Sequence, residues 1–437
     1  MSLNLLDVSI NFIDFAVEQI EKINLNWLGT AVQWIINLVG IVGVGVILFT
    51  LILKTITMPL DIYSRVKMKK QSLLMKKMRP QMEKLQKQYA NDKTMYNQKV
   101  MELQKENGIS MFGACLPMIV TLVIFMVVFS AFSTYSQYAN LSMYNDMVKT
   151  YNDSVQTYVL KDFRGNTVNE NGFLIEFIDE SLIENIEVDN LPEVITEAQQ
   201  AEINKGKAYR VDFDAFVNLT GENLDGKTEA EKIVIVRSHV RENARRASAD
   251  YYREHVDSFL WVGSLWYPDS MLNKSVPNFS GFSSSITRAT GSGVDASYES
   301  SYNEVSFYLL NEGYGDKVEG NTYNGYFVLI VLAIGLMFLQ QFISMRSQKD
   351  ANELGTVDGS GAKTNKWMMI MMPIIYGAFS FMYSAAFSLY MITNTLYGLI
   401  STVVINKVMD ISFAKQEANG GYQVKRKKKN ERKRLKK

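Results

Sequence analysis

The sequence predicts an α-helical polytopic membrane protein with five transmembrane helices, a cytosolic helical hairpin and an external α+β insert. Two observations carry this reading. The chain of 437 residues contains four long apolar windows without a charge: Ile35 to Leu53, Ser110 to Ala131, Tyr326 to Met345 and Trp367 to Ile405. About 20 apolar residues cross a bilayer, so the last window holds two spans joined by a short turn near Tyr383 to Ala386. The second observation is charge segregation beneath a net charge of only +1. Residues 64–107 hold twelve Lys/Arg against four Asp/Glu and residues 406–437 hold twelve against three, whereas the first 33 residues and the region between the second and third windows are acid-rich. Lys and Arg near span ends stay cytoplasmic, which puts the N-terminus outside, the hairpin inside, the large acidic region outside and the tail inside.

Residues 1–33 are expected to form an external amphipathic helix. Leu6, Ile10, Ile13, Val17 and Ile20 recur at helical spacing, with Asp7, Asp14, Glu18 and Glu21 off the stripe. That helix either packs on the outer ends of the spans or lies in the interface. Nothing at the N-terminus has the pattern of a signal peptide. Residues 34–60 make span 1 and residues 61–109 the hairpin. In the hairpin Met75, Met78, Met82, Leu85 and Tyr89 form a heptad-like seam, "AND" breaks it, and Tyr96, Val100 and Leu103 resume it.

Span 2 follows over 110–135, then the external region over 136–324. There Tyr144 to Leu160 and Glu229 to Phe259 read as helices of a stalk, while "FRGNTVNENGFLIEFIDE" and "KAYRVDFDAFVNL" alternate like the strands of a small head. The Ser, Gly and Thr of Asn273 to Gly293 predict a mobile loop. Span 3 covers 325–346, a cytosolic loop 347–366, spans 4 and 5 367–405, and a basic tail 406–437. Within the tail, Lys425, Arg426, Lys427, Lys428, Lys429, Arg432, Lys433 and Arg434 suit anionic lipid or ribosomal RNA phosphates, bound with counterion release.

Bond-making chemistry is not legible. The single Cys115 excludes an intrachain disulfide, His239 and His255 lack ligands at metal spacing, and no catalytic constellation occurs. Neither an enzyme, a cofactor nor a DNA partner is expected.

One charge stands out. Lys54 lies inside "ILFTLILKTITMPL", where a cation costs free energy unless it reaches water or a partner. The six residues on to Leu60 place it about 9 Å inside the exit, within a lysine's reach, so a snorkelling span-end lysine and a functional charge both stand at this point. A transporter or channel with Lys54 as an anion site is the alternative class; against it, no inverted repeat and no paired broken helices are detectable.

Several stretches, taken in order, resemble the YidC family of membrane protein insertases. "LILKTITMPL" resembles the first-span motif, in which a basic residue precedes a Met-x-Pro-Leu-like exit. A basic hairpin follows, then "MFGACLPMIV" with Gly113, Cys115 and Pro117, then "SFLWVGSLWYPDS", "FLQQF", "MMIMMPIIYGAFSF" and "AAFSLYMITN". Lys54 stands where the family usually has arginine, and Tyr383 and Ser384 where a proline is usual. The region between spans 2 and 3 is much expanded, so its head inherits no family role.

The resemblance implies a multi-pass protein of the bacterial cell membrane. It implies a hydrophilic groove, open to the cytosol, formed by Lys54 with Thr55, Thr57, Gln340, Gln341 and Asn394. It implies a greasy sliding face on spans 3 and 5, for which Phe338, Phe342, Phe387 and Tyr390 are the candidates. Nascent membrane proteins would be the substrates, the ribosome would meet the basic tail, and insertion and folding would proceed with or without the Sec translocon.

Overall fold

A computed structural model describes residues 10–11, 17–107, 111–180, 183, 196, 199, 203, 206–290, 293–311, 322–347 and 360–418. In chain order the elements are strand β1 (Ile10–Asn11), helices α1 (Trp27–Val39), α2 (Val42–Gln88), α3 (Lys93–Glu106) and α4 (Met111–Gln156), and strands β2 (Val159–Lys161), β3 (Leu174–Ile178) and β4 (Lys207–Val211). Helices α5 (Phe213–Thr220), α6 (Glu229–His255), α7 (Phe279–Thr290), α8 (Glu299–Val305), α9 (Phe307–Leu310), α10 (Val328–Ser347), α11 (Ser360–Met382) and α12 (Ala385–Ala418) follow. They form two compact units. An insert unit comprises Met1–Asn24, Gln137–Asp257 and Leu272–Tyr323, and a helical unit comprises Leu25–Ser136, Ser258–Met271 and Asn324–Lys437.

The structure is mostly helical, with one small sheet. Among the described residues three helical stretches are long and apolar enough to cross a membrane: Val42–Lys67 in α2, Leu122–Gln156 in α4 and Ala385–Lys415 in α12. Trp27–Val39, Val328–Ser344 and Pro373–Met382 are shorter apolar helical stretches. The apolar run expected as span 1 is broken at Gly40, whose φ of 75° is left-handed and closes α1, so the long helix starts only at Val42.

In the insert unit the sheet has the order β1-β4-β3-β2, with β3 and β4 antiparallel and β2 and β3 parallel. Its core joins Tyr144, Val148 and Tyr151 of α4 to Phe173 and Tyr209 of the sheet and to Val236, Val240 and Ala244 of α6. Glu304 binds Arg245 at 2.6 Å and accepts the Tyr151 hydroxyl at 2.9 Å, which neutralises these groups beside that core. A capping box starts α6, and the Thr228 N–H and hydroxyl hold the Glu231 carboxyl below its ordinary range.

Three local expectations in this unit are corrected. The stripe predicted as a helix over Leu6 to Ile20 contains a strand at Ile10–Asn11, paired antiparallel with Tyr209 and Ala208, and no helix over Val17 to Asn26; its other residues lie outside the described set. The alternation of "KAYRVDFDAFVNL" stops at Val211, because the Asp212 side chain accepts the Ala215 N–H at 3.0 Å and caps α5. The Ser/Gly/Thr stretch expected as a loop folds as α7. Asn278 accepts the Gly281 N–H at 2.9 Å, and Phe282 and Ile286, one turn apart, are buried.

In the helical unit α2 and α3 are joined by a four-residue turn, and Met78 and Met82 are buried against Val100, Leu85, Tyr96 and Leu103. The segment Ser258–Met271 clasps one end of this unit. The Phe259 ring lies against Gly43 at the start of α2. Ser136, in the middle of α4, donates to the Trp266 carbonyl at 3.0 Å, and the Tyr135 and Trp266 rings meet edge-on. Ala385 and Ala386, which open α12, donate to the carbonyls of Tyr267 and Leu265, each at 2.9 Å.

The clasp also holds α10. Asp269 is fully buried, and its carboxylate accepts the N–H of Tyr326 at 2.8 Å and of Leu329 at 2.7 Å. Free N–H groups at a helix start carry partial positive charge, so this is a favourable place for a buried carboxylate. Asn324 accepts the Ser264 N–H at 2.7 Å and donates to the carbonyls of Ser264 and Pro268. Gly325 admits the approach, since a Cβ there would overlap the Asp269 carboxylate. Starting from one clasp, α2, α10 and α12 run in the same direction, and α4 runs back to it.

Asp269→Ala leaves one buried and one partly buried N–H group unpaired and should destabilise the protein by about 2–3 kcal/mol. Gly325→Ala should lose a similar amount, because the short, doubly bonded carboxylate cannot move aside. Thermal unfolding of the purified protein in detergent measures both; an unchanged midpoint for Asp269→Ala would contradict the capping role.

Candidate functional site

The run of α2 through Lys54 places three charges on one face. Lys54, Asp61 and Arg65 are separated by seven and four residues, which a helix stacks in line. Lys54 Nζ is 3.9 Å from Asp61 Oδ2, and the two side chains are 21% and 37% exposed. The charge of Asp61 acts on both Lys54 and Arg65. Pro59 lies between them inside the helix and has no N–H to give to the Thr55 carbonyl.

The two threonines differ in placement. Thr55 is exposed and donates its hydroxyl to the Leu51 carbonyl at 2.8 Å, while Thr57 is half-buried and donates to the Lys54 carbonyl at 3.3 Å. Both spend their hydrogen on their own helix, leaving oxygen lone pairs for anything that approaches.

Helix α12 runs between α2 and α10. Tyr397 donates its hydroxyl to Met58 Sδ at 3.4 Å, and the next residue, Gly398, lies against the Gln340 amide so closely that a Cβ there would collide with it. Farther along, Lys69 pairs with Asp410 at 2.8 Å. Asn394, half-buried, is one turn before Gly398 on the same face; Gln341 is half-buried beside Gln340. Thr395 is fully buried, and its hydroxyl oxygen has no hydrogen-bond partner among the described residues.

The aromatic candidates divide. Phe338 and Phe342, one turn apart on α10, are exposed. Phe387 and Tyr390 are 1% and 3% exposed, so they are not on an outward face. Phe387 packs edge-on against Phe129 at 5.4 Å and contacts Phe125, and Tyr390 lies 5.4 Å from Phe132. Small residues bring this about: Ser384, Ala385, Ala386 and Ser388 are buried around them and let neighbouring helices approach closely.

Asp61, Tyr397 and Gly398 escaped the sequence reading. Asp61 had a signal, its seven-residue spacing from Lys54; Gly398 had none beyond being a glycine in an apolar helix. Gly113, Cys115 and Pro117 belong to α4, but their side chains lie outside the described set, as do the tail residues from Lys425 to Arg434.

With this arrangement the family match can be placed on the chain. The sequence model of a family described as the 60Kd inner membrane protein family matches residues 34–162 and 252–413. The chain belongs to this family, the YidC insertase family. Curated relatives named membrane protein insertase YidC include one from Fusobacterium nucleatum, 41% identical over 91 residues, which are 21% of this chain and 42% of the relative. A second, from Caldanaerobacter subterraneus, is 34% identical over 116 residues, 26% of this chain and 54% of the relative. A third, from Leptospira interrogans, is 36% identical over 91 residues, 21% of this chain and 14% of the relative. The chain thus spans about half the length, or less, of these three relatives. No solved structure matches it.

The family match contains Lys54, Asp61, the clasp, Gln340 and Gly398, and omits residues 163–251 of the insert unit. Because the Gln340 amide is the far end of a flexible side chain, Gly398→Ala should cost less than about 1 kcal/mol. A loss on thermal unfolding as large as that of Gly325→Ala would show that the amide is held rigidly against α12.

Proposed function

We propose that this chain is a membrane protein insertase of the bacterial cell membrane, moving apolar segments of nascent membrane proteins into the bilayer without covalent chemistry. The observation that carries the reading is the half-buried Lys54–Asp61 pair within the most apolar of the three long helical stretches of a chain that belongs to the family. Two curated relatives of the same printed name, one from Fusobacterium and one from Caldanaerobacter, support it.

The proposed layout has five spans: the apolar parts of α2, α4, α10, α11 and α12. Helix α1, with Trp27 and Trp34 exposed, lies in the outer interface, where indole rings are favoured. The N-terminus and the insert unit are outside; the hairpin and the basic tail are cytoplasmic. The common direction of α2, α10 and α12 and the reversed direction of α4 support this alternation, and the twelve Lys/Arg of residues 64–107 support its orientation.

In this reading Lys54, Thr57, Gln340, Gln341 and Asn394 line a wet groove opening to the cytosol, with Thr55 at its margin. A substrate's hydrophilic tail enters the groove while its apolar segment slides along Phe338 and Phe342 into lipid. Burial of that segment contributes about 0.8 kcal/mol per methylene, against roughly 2.5–3.5 kcal/mol for each charge carried through the dry core. Wetting the inner half of the path lowers the second quantity, and Lys54 attracts acidic tails into it. Folding assistance with or without the Sec translocon belongs to the same proposal.

Reconstitution tests the reading. Purified protein in liposomes should insert a small single-span substrate without ATP and should carry no ion current, whereas a current without insertion would favour the anion-channel class. Lys54→Ala should lower insertion of a substrate with acidic tail residues several-fold, about the effect of losing 1 kcal/mol, and spare one with a short neutral tail. Equal insertion of both at normal protein levels, read by protease protection in cells depleted of the native insertase, would remove the groove charge from the mechanism.

Deletion of Lys425 to Lys437 should weaken ribosome binding steeply with salt while released substrates are still inserted, since phosphate neutralisation is salt-dependent. Unchanged ribosome co-sedimentation at low salt would exclude the tail as the docking element.

A further inference from the structure

The groove charge is not free. Lys54 Nζ and Asp61 Oδ2 are 3.9 Å apart, although seven residues separate them along α2, about 10 Å of helix rise. Helical side chains lean toward the N-terminus, so the lysine must stretch against its default direction to meet the carboxylate. The contact is therefore long and made by an extended side chain. Asp61 has a second cation at its own next turn: Arg65 follows by four residues on the same face, with the acid N-terminal to the base, the favourable order on a helix. The three groups carry a net charge of +1, so one carboxylate stands between two cations on this face.

From this geometry we infer that Asp61 is a specificity-determining residue: it is the resident counterion of Lys54, which an acidic substrate tail displaces and which then turns wholly to Arg65. The inference rests on the insertase reading above and deepens it. A lysine with no counterion would capture any passing carboxylate more readily and favour acid-tailed substrates over neutral ones. With Asp61 in place the substrate's carboxylate exchanges for one already there, so a charge in this partly dry site is never left unpaired before, during or after passage. Arg65 makes the exchange cheap, because the displaced carboxylate keeps a partner. The rest of the face does not compete: the Thr57 hydroxyl donates to the Lys54 carbonyl, and the acid nearest in the hairpin-proximal part of α12, Asp410, pairs with Lys69.

The prediction concerns a ratio. In Asp61→Asn the shape is kept and the counterion is lost, so insertion of an acid-tailed substrate relative to a neutral-tailed one should rise about two- to fivefold, the range of a partly exposed ion pair. Asp61→Glu should return the ratio toward that of the native chain. On a Lys54→Ala background, Asp61→Asn should no longer change the ratio, which a merely structural role for Asp61 would not predict. Protease protection of the paired substrates, with the level of each variant measured in the membrane, supplies the readout. If Asp61→Asn leaves the ratio unchanged or lowers it while Lys54→Ala lowers it, the counterion role is overturned and the groove charge stands. If Lys54→Ala also leaves the ratio unchanged, the groove-charge reading itself is overturned.

Discussion

The helical unit depends on one buried carboxylate. An ion of this kind is strongly destabilising in an apolar interior unless hydrogen-bonded, and Asp269 meets that condition by accepting the N–H groups of Tyr326 and Leu329 at the start of α10. The same short turn tolerates Phe327 at a φ of 62°, a conformation that costs a non-glycine residue about 1 kcal/mol or more, and the Phe327 ring stacks on Phe381. Cap, strain and stacking thus fix where α10 begins. The flanking clasp residues fix α12 through Ala385 and Ala386 and bring Phe259 onto Gly43 of α2.

That common origin sets the depth of the polar groups. Counted at 1.5 Å per residue, Lys54 is roughly 16 Å from Gly43, Gln340 roughly 16 Å from Leu329, and Asn394 roughly 14 Å from Ala385. Three helices that begin together therefore carry their polar side chains at about one level. Nearer the clasp, Phe387 and Tyr390, seven and four residues before Asn394 and so on the same side of α12, join Phe125, Phe129 and Phe132 in an aromatic cluster. Along its length α12 thus passes from an aromatic level packed on α4 to a polar level beside α2 and α10. A cation in an apolar helix needs such a polar level, because its charge must reach water or a partner.

What could be read from the sequence follows from what kind of signal each part carries. The long apolar helices are visible because length and the absence of charge are local properties, and the Met78–Met82 seam because heptad spacing survives in any context. The inward placement of Phe387 and Tyr390 is not visible, since a helix apolar all round gives no stripe to say which face meets lipid and which meets protein. Asp61 was hidden differently. It stands one residue after the expected end of span 1, and its seven-residue spacing from Lys54 places it on the same face because α2 runs unbroken through Pro59. In the insert unit, the caps at Asp212 and Asn278 overrode alternation and composition, two weaker signals.

The break in the family match adds a constraint on how the insert arose. The match stops at residue 162, after α4 and β2, and resumes at 252, in the last turn of α6, so the missing stretch begins and ends within the insert unit rather than at its edges. Such a stretch can vary without disturbing the helical unit only if its own apolar surface is buried locally. Tyr151, Phe173, Tyr209, Val240 and Ala244 do this in a core drawn entirely from the insert unit. Loop-closure entropy rises only slowly with length, so enlarging the connection costs the spans little. The cost falls instead on α4, which must stay helical through Gln156 to deliver Tyr144, Val148 and Tyr151 to that core. A helix that serves the spans with one part and the insert with the other is thereby fixed in length from both ends, and the clasp contact at Ser136 falls where the two uses meet.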